Sequence, residues 1–261
     1  MLKMTKDKHE EQAGFLACEQ FFSTRSGQKM LAEQQSRLDK TLEELFGFNL
    51  LQLTADEAPM NTDRSNINHH FCLHQKPYEH AQAFFDNSAL PIETQSIDTV
   101  LLHHYLDYCH HPHDLLKEVN RVTIPYGQLI IFGFNPFSFL GAQSAIAKSI
   151  GKGLQPHQLF SLNKIIDWLK LIDFKVLETE FGSYTPPWPW LQKHPLAENI
   201  ERKMHSQQWP VGGFYYLHAV KQVAPVTPRP LKKRHRPSFI PVMKPQLNPS
   251  IHKEKKNDPS A

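Results

Sequence analysis

The sequence predicts an α/β fold built on a mostly parallel sheet, and three observations carry that prediction. Two short apolar runs, Ile97–His103 and Gln128–Phe134, show no polar alternation, which is the pattern of strands covered on both faces. Between them, Leu115, Val119 and Val122 recur at helical spacing, with Leu116 widening the stripe. Strand, helix and strand at this separation make a right-handed βαβ unit.

Taken in order, residues 1–20 are polar and carry no sustained period. From about Gln28 to Phe46, Leu31, Leu38, Leu42 and Leu45 mark one face of a helix, and Gly47 stands where a C-terminal cap belongs. Phe48–Leu53 is expected to be the first strand, Ile67–Gln75 the second and Ala83–Phe85 a short third. After the fourth strand, Pro112 and Asp114 start the helix that leads towards the fifth. Lys117, Glu118, Asn120 and Arg121 fill its solvated face, and Pro125-Tyr126-Gly127 turns the chain into the next strand. Residues 137–153 suit a short amphipathic helix packed across the open end of the sheet. Ser161 caps a helix with Leu162, Ile165, Ile166, Leu169 and Ile172 on one side. Asp173 takes the turn, and Phe174–Glu178 begins a strand. Pro186, Pro187 and Pro189, beside Trp188 and Trp190, forbid regular structure and form an aromatic loop or flap. Gly212–Lys221 is the last strand.

The order of residues around the βαβ unit carries a resemblance. Asp86, Leu90-Pro91, Ser96, Asp98, Val100, Glu118-Val119, Arg121-Val122, Pro125, Gly127 and Leu129 resemble the class I S-adenosylmethionine-dependent methyltransferases, in the branch of the type 11 methyltransferase domain. Phe134-Asn135-Pro136 and the following Phe137–Gly141 are similar to a small bacterial subgroup of that branch. The resemblance spans about residues 20–222. It implies a doubly wound, mostly parallel seven-stranded sheet of the Rossmann-like methyltransferase type, with an antiparallel last strand forming an edge hairpin with the strand at 174–180. It also implies S-adenosylmethionine as cofactor. In the family the first strand leads into a glycine-rich turn, which corresponds here to Leu53 and Thr54 with Ala55–Pro59, and no glycine is present. The second strand of the family ends on an acid that binds the ribose, where Gln75 offers one amide oxygen instead. Asp86, followed by Asn87, stands where an acid meets the adenine amino group; its other reading is a turn residue. His103 and His104 end the fourth strand, at the carboxyl edge where ligands of such sheets bind. Adjacent strand residues point to opposite faces, so one of the pair is expected to line the pocket. No HExxH or paired CxxC pattern marks a metal site.

Composition sets the remaining bounds. The chain of 261 residues has room for one ordinary domain with extensions. We divide it into an N-terminal helical extension at 1–46, a methyltransferase-like domain at 47–222 and a Pro-rich basic tail at 223–261. Residues 221–261 hold ten Lys/Arg against two Asp/Glu, whereas the rest holds nineteen against twenty-four. The tail reads as disordered, and Lys232-Lys233-Arg234-His235-Arg236 is either a solvated run or a contact for nucleic acid or an anionic surface. Cys18, Cys72 and Cys109 are too scattered for a disulfide framework, which suits reduced thiols and a cytoplasmic location. No stretch is long and apolar enough to be a transmembrane helix. The leading function is methyl transfer to a small-molecule or other acceptor, helped chiefly by positioning. The missing glycines and ribose acid leave open a second reading, a non-catalytic binding or scaffold protein of the same fold. A third is nucleic-acid binding through the tail.

Overall fold

The computed structural model describes residues 14–55, 59–74, 83–84, 89–142, 144, 158–184, 203 and 209–222. Seven strands run through them: β1 (Phe46–Thr54), β2 (Asn66–His74), β3 (Ala83–Phe84), β4 (Ile97–His103), β5 (Thr123–Phe134), β6 (Phe174–Gly182) and β7 (Phe214–Lys221). They form one sheet in the order β3-β2-β1-β4-β5-β7-β6. β1 to β5 are parallel, and β7 runs against both β5 and β6. The last strand is therefore antiparallel, as expected, but it lies inside the sheet and β6 forms the edge. Seven consecutive pairings on β5 fix it there, from Gln128↔Val220 to Phe134↔Phe214.

The helices are α1 (helical residues 14–22), α2 (Arg25–Glu44), α3 (Tyr105–Tyr108), α4 (Pro112–Val122), α5 (residues 139–142) and α6 (Leu162–Leu171). α2 begins three residues earlier than the leucine pattern suggests, because Thr24 caps it by accepting from the Gly27 N–H at 3.1 Å. Its buried stripe is Gly27, Met30, Gln34, Leu38, Thr41 and Leu42. Gly47 is no helix cap; it opens β1, where an added Cβ would stand 2.6 Å from the Asp98 Cβ. Asp98 then accepts from the N–H groups of Phe48 and Asn49 at 3.0 and 2.8 Å, tying β1 to β4 at their amino ends.

α4 starts with Pro112 in its first turn and buries Leu115, Leu116, Val119 and Val122, each worth about 1.5–3 kcal/mol relative to exposure. Its other face is not simply solvated. Arg121 donates to the carbonyls of Leu90 and Ile92 at 3.0 and 2.9 Å, and Glu118 accepts from the Leu90 N–H at 3.0 Å. The Glu-Val-x-Arg motif thus clamps the Leu90-Pro91 loop ahead of β4. Pro125-Tyr126-Gly127 was expected as a turn before the fifth strand, yet β5 already begins at Thr123. The pairing jumps from Ile97↔Thr123 to Thr99↔Gln128, so the turn residues form a bulge, with Tyr126 at φ 63°. Asp173 takes its turn at φ 62°.

The described residues all fall within one compact unit. The aromatic loop at 185–190 and the basic tail lie outside the described residues, as does most of the segment expected to be helical at 137–153. Among the described residues no helix is long and apolar enough to cross a membrane.

Candidate functional site at the carboxyl edge of β1 and β4

The strand order reverses between β1 and β4, since one neighbour of β1 leads to β2 and the other to β5. In open α/β sheets the crevice at such a reversal, beyond the carboxyl ends, is the ligand site. Here β1 ends at Thr54 and β4 at His103, paired in register, and the Ala55 N–H donates to the His103 carbonyl at 3.0 Å.

The side chains at that edge form one hydrogen-bonded series. Thr54 Oγ1 lies 3.3 Å from His103 Nδ1, and His103 Nε2 lies 3.0 Å from Gln34 Oε1. Gln34 Nε2 lies 2.8 Å from His104 Nε2, and His104 Nδ1 lies 3.1 Å from Asp107 Oδ2. The same Asp107 oxygen accepts from the Phe134 N–H at 2.9 Å. Because an amide nitrogen only donates and its oxygen only accepts, the protons are assigned. His104 carries its proton on Nδ1 and His103 on Nε2, both rings neutral. Burial agrees: Thr54, His103, His104, Asp107 and Gln34 are all essentially inaccessible. Desolvation pulls His104 down to about 3, and it lowers His103 well below the ordinary value, helped by the repulsion that charging both adjacent rings would bring. Burial also pushes Asp107 well above the usual carboxylate range, against the pull of the Phe134 N–H.

The two histidines were expected on opposite faces, but both reach Gln34. His104 leaves the strand with φ 52° and ψ 9°, the left-handed conformation, which swings its ring beside that of His103 at a centroid distance of 4.8 Å. A non-glycine residue there carries a local cost of about 1–3 kcal/mol. The contacts that hold it are Asp107, Gln34, the Phe134 ring stacked at 3.8 Å and Phe22 of α1 at 5.4 Å.

Of the residues singled out in the sequence, Leu53, Thr54, His103 and His104 come together at this edge. Gln75, Asp86 and Asn87 lie outside the described residues. The histidine nitrogens are all engaged within the protein. Of the turn after β1 the structure describes Ala55, Pro59 and Met60. Thr54, Ala55, Pro59 and Met60 all have negative φ, and the first residue beyond the strand bears only a methyl group. That stretch of the turn makes no conformational demand for glycine. Sequence reading missed Gln34 and Asp107. The signal for Gln34 was a polar residue four before Leu38 and three after Leu31, inside the apolar stripe. For Asp107 it was an acid set between Leu106 and Tyr108. Among the described residues no group of three His, Cys, Asp or Glu is placed to hold a metal ion.

A second concavity, a groove of about 610 Å³, runs between α2 and the β6–β7 pair. Its lining includes Glu33, Glu178, Glu180 and His218, and Arg37, which lies 4.3 Å above the Tyr216 ring, ion-pairs with Glu178 and Glu180.

Residues 33–131 match a family model described as Methyltransferase domain. The uncharacterized protein YafS of Escherichia coli (strain K12) is 29% identical over 199 residues, covering 76% of this chain and 79% of that protein. Among solved structures, a SAM dependent methyltransferase from Archaeoglobus fulgidus superposes with a TM-score of 0.54 at 14% identity, covering 79% of this chain and 99% of the other. A chain from the complex between the Haloferax volcanii Trm112 methyltransferase activator and a methyltransferase gives 0.52 at 14% identity, covering 79% and 98%.

Proposed function

We propose that the chain is a class I S-adenosylmethionine-dependent methyltransferase, a reading supported by the match of residues 33–131 to the Methyltransferase domain model, and that it hands the methyl group to a small-molecule acceptor lying beyond the carboxyl ends of β4 and β5. The single observation that supports this reading is the reversal of strand order at β1 and β4, with Thr54 and His103 side by side at the crevice. When bound, the cofactor supplies a methyl carbon on a sulfonium, open to in-line attack. The protein's share is positioning, which alone can remove several kcal/mol of the barrier.

In this reading the backbone of Leu53 and Thr54 borders the cofactor. Gln75 accepts one hydrogen bond from a ribose hydroxyl, and Asp86 accepts from the adenine amino group with Asn87 beside it. His103 and His104 are not ligands. They hold the carboxyl edge of β4 rigid through Gln34 and Asp107, so that the crevice keeps its shape when it fills.

Calorimetric titration of the full chain with S-adenosylmethionine tests the proposal. Binding that weakens by about tenfold in Asp86→Ala, as the loss of a charge-assisted hydrogen bond predicts, supports it. An Asp86→Ala variant that binds like the parent removes Asp86 from the site. No heat and no thermal shift at millimolar ligand would overturn the reading.

A further inference from the structure

Beside His104, at the carboxyl end of β5, two buried polar atoms lack a partner. Asp107 uses Oδ2 twice, for His104 and for the Phe134 N–H, while its Oδ1 is buried without a hydrogen-bond partner. The Tyr215 hydroxyl is also buried and without a partner. The two groups are brought near each other through β5: Asp107 Oδ2 accepts from the Phe134 N–H at 2.9 Å, and the Tyr215 hydroxyl lies against the preceding residue, Gly133. The tyrosine reaches this point because residue 133 is glycine, where a Cβ would stand 2.3 Å from the hydroxyl oxygen. Among the described residues no lysine or arginine forms an ion pair with Asp107; its one such partner is the neutral His104.

The walls are aromatic. Tyr105 and Tyr108 flank Asp107 along α3, and Phe15 of α1 lies 5.9 and 5.7 Å from their rings. Phe134 stacks on His104. A buried carboxylate with no cation is expensive to keep ionised, and aromatic walls attract cations through their ring faces. An acid with an unused oxygen, an idle hydroxyl and aromatic walls is complementary to an amino group.

We propose that Asp107 and Tyr215 recognise the amine of the methyl acceptor, which makes the acceptor class a small primary or secondary amine; this rests on the methyltransferase reading above. The ammonium form donates to Asp107 Oδ1 and leaves a proton there. The freed nitrogen lone pair forms the new N–C bond as the S–C bond to the methyl group breaks, and that bonding pair stays on sulfur. The methylated amine leaves as the ammonium, and one proton passes through Asp107 to solvent.

The test is a pair of calorimetric titrations on the full chain. S-adenosylhomocysteine is titrated first, then benzylamine into the saturated protein, with benzyl alcohol as the uncharged isostere. Benzylamine is expected to bind and the alcohol not to. Asp107→Asn should weaken the amine by about tenfold to a hundredfold, the range for a hydrogen bond to a charged group. Tyr215→Phe should weaken it too while leaving S-adenosylhomocysteine affinity unchanged, and it reports on the site even where Asp107→Asn fails to fold. Equal binding of amine and alcohol, or amine binding indifferent to both variants, overturns the amine site and leaves the methyltransferase reading intact. No amine binding beside normal S-adenosylhomocysteine binding overturns it likewise, and the orphan oxygen then holds a buried water only. Selective amine binding with no heat from S-adenosylhomocysteine sustains the site and refutes the cofactor reading.

Discussion

Gln34→Ala isolates the contribution of the polar seam between α2 and the sheet. The amide makes two hydrogen bonds at full burial, to His103 Nε2 at 3.0 Å and to His104 Nε2 at 2.8 Å. Truncation removes both and leaves one N–H and one imidazole lone pair with no partner and no access to water. An unsatisfied buried group costs about 1–3 kcal/mol, so the pair predicts a loss of about 2–6 kcal/mol. That is a large share of a typical total stability of about 5–15 kcal/mol. Urea unfolding at pH 7, followed by tryptophan fluorescence and circular dichroism, reads the effect. With a slope of about 2 kcal/mol/M the midpoint should fall by about 1–3 M. Gln34→Leu, which fills the space but cannot bond, should fall nearly as far and so separates lost hydrogen bonds from a cavity. Lys170→Ala is the control: its ion pair with Asp167 is long, at 3.7 Å, and exposed, so it should stay within about 0.5 kcal/mol of the parent. If Gln34→Ala unfolds at the midpoint of that control, the histidines do not depend on the amide and the reasoning fails.

Two further outcomes follow from the same region. His103 and His104 are held neutral with folded-state values below the ordinary one, so the unfolded chain binds more protons below about pH 6.5. Stability is full above that pH and is lost as pH falls towards the value of about 3 for His104. Asp107 shifts upwards and works the other way, losing stability as pH rises from about 3.8 through its raised folded-state value. Two groups against one leave a net loss of stability as pH falls below about 6.5. Urea midpoints at pH 7, 6 and 5 measure it, and a flat profile refutes it. Gly133→Ala should destabilise by about 1–3 kcal/mol, because the new methyl would meet the Tyr215 hydroxyl oxygen at 2.3 Å and ring carbon at 2.4 Å. Combined with Tyr215→Leu, the pair should cost less than the sum of the single changes; strict additivity would show that the two do not touch.

Much of the sheet could be read from the sequence because its strands are apolar on both sides. Ile97–His103 keeps the expected bounds, and α4 begins at Pro112 and buries the anticipated leucines and valines. The start of β5 was hidden because Pro-Tyr-Gly is turn chemistry, and only its partner strand makes a bulge of it. His104 escaped for a related reason: alternation holds only while the backbone stays extended, and the strand stops one residue before it. Gln34 was hidden by distance. Its partners lie 69 and 70 positions along the chain, beyond anything a helical period reports. The acids and amides expected around the cofactor, Gln75, Asp86 and Asn87, fall outside the described residues and stand as proposals.

The polar seam also has a direction. Thr54 donates to His103, His103 to Gln34, Gln34 to His104 and His104 to Asp107. Reversing any one link strands its neighbours, because the amide cannot turn over without both imidazoles exchanging their protons. These residues therefore behave as a single letter in the protein's alphabet. A lineage that replaces Gln34 with a residue unable to both give and take a hydrogen bond is expected to replace the two histidines as well. Histidine-to-aromatic changes at 103 and 104 should appear together with an apolar residue at 34, and seldom alone.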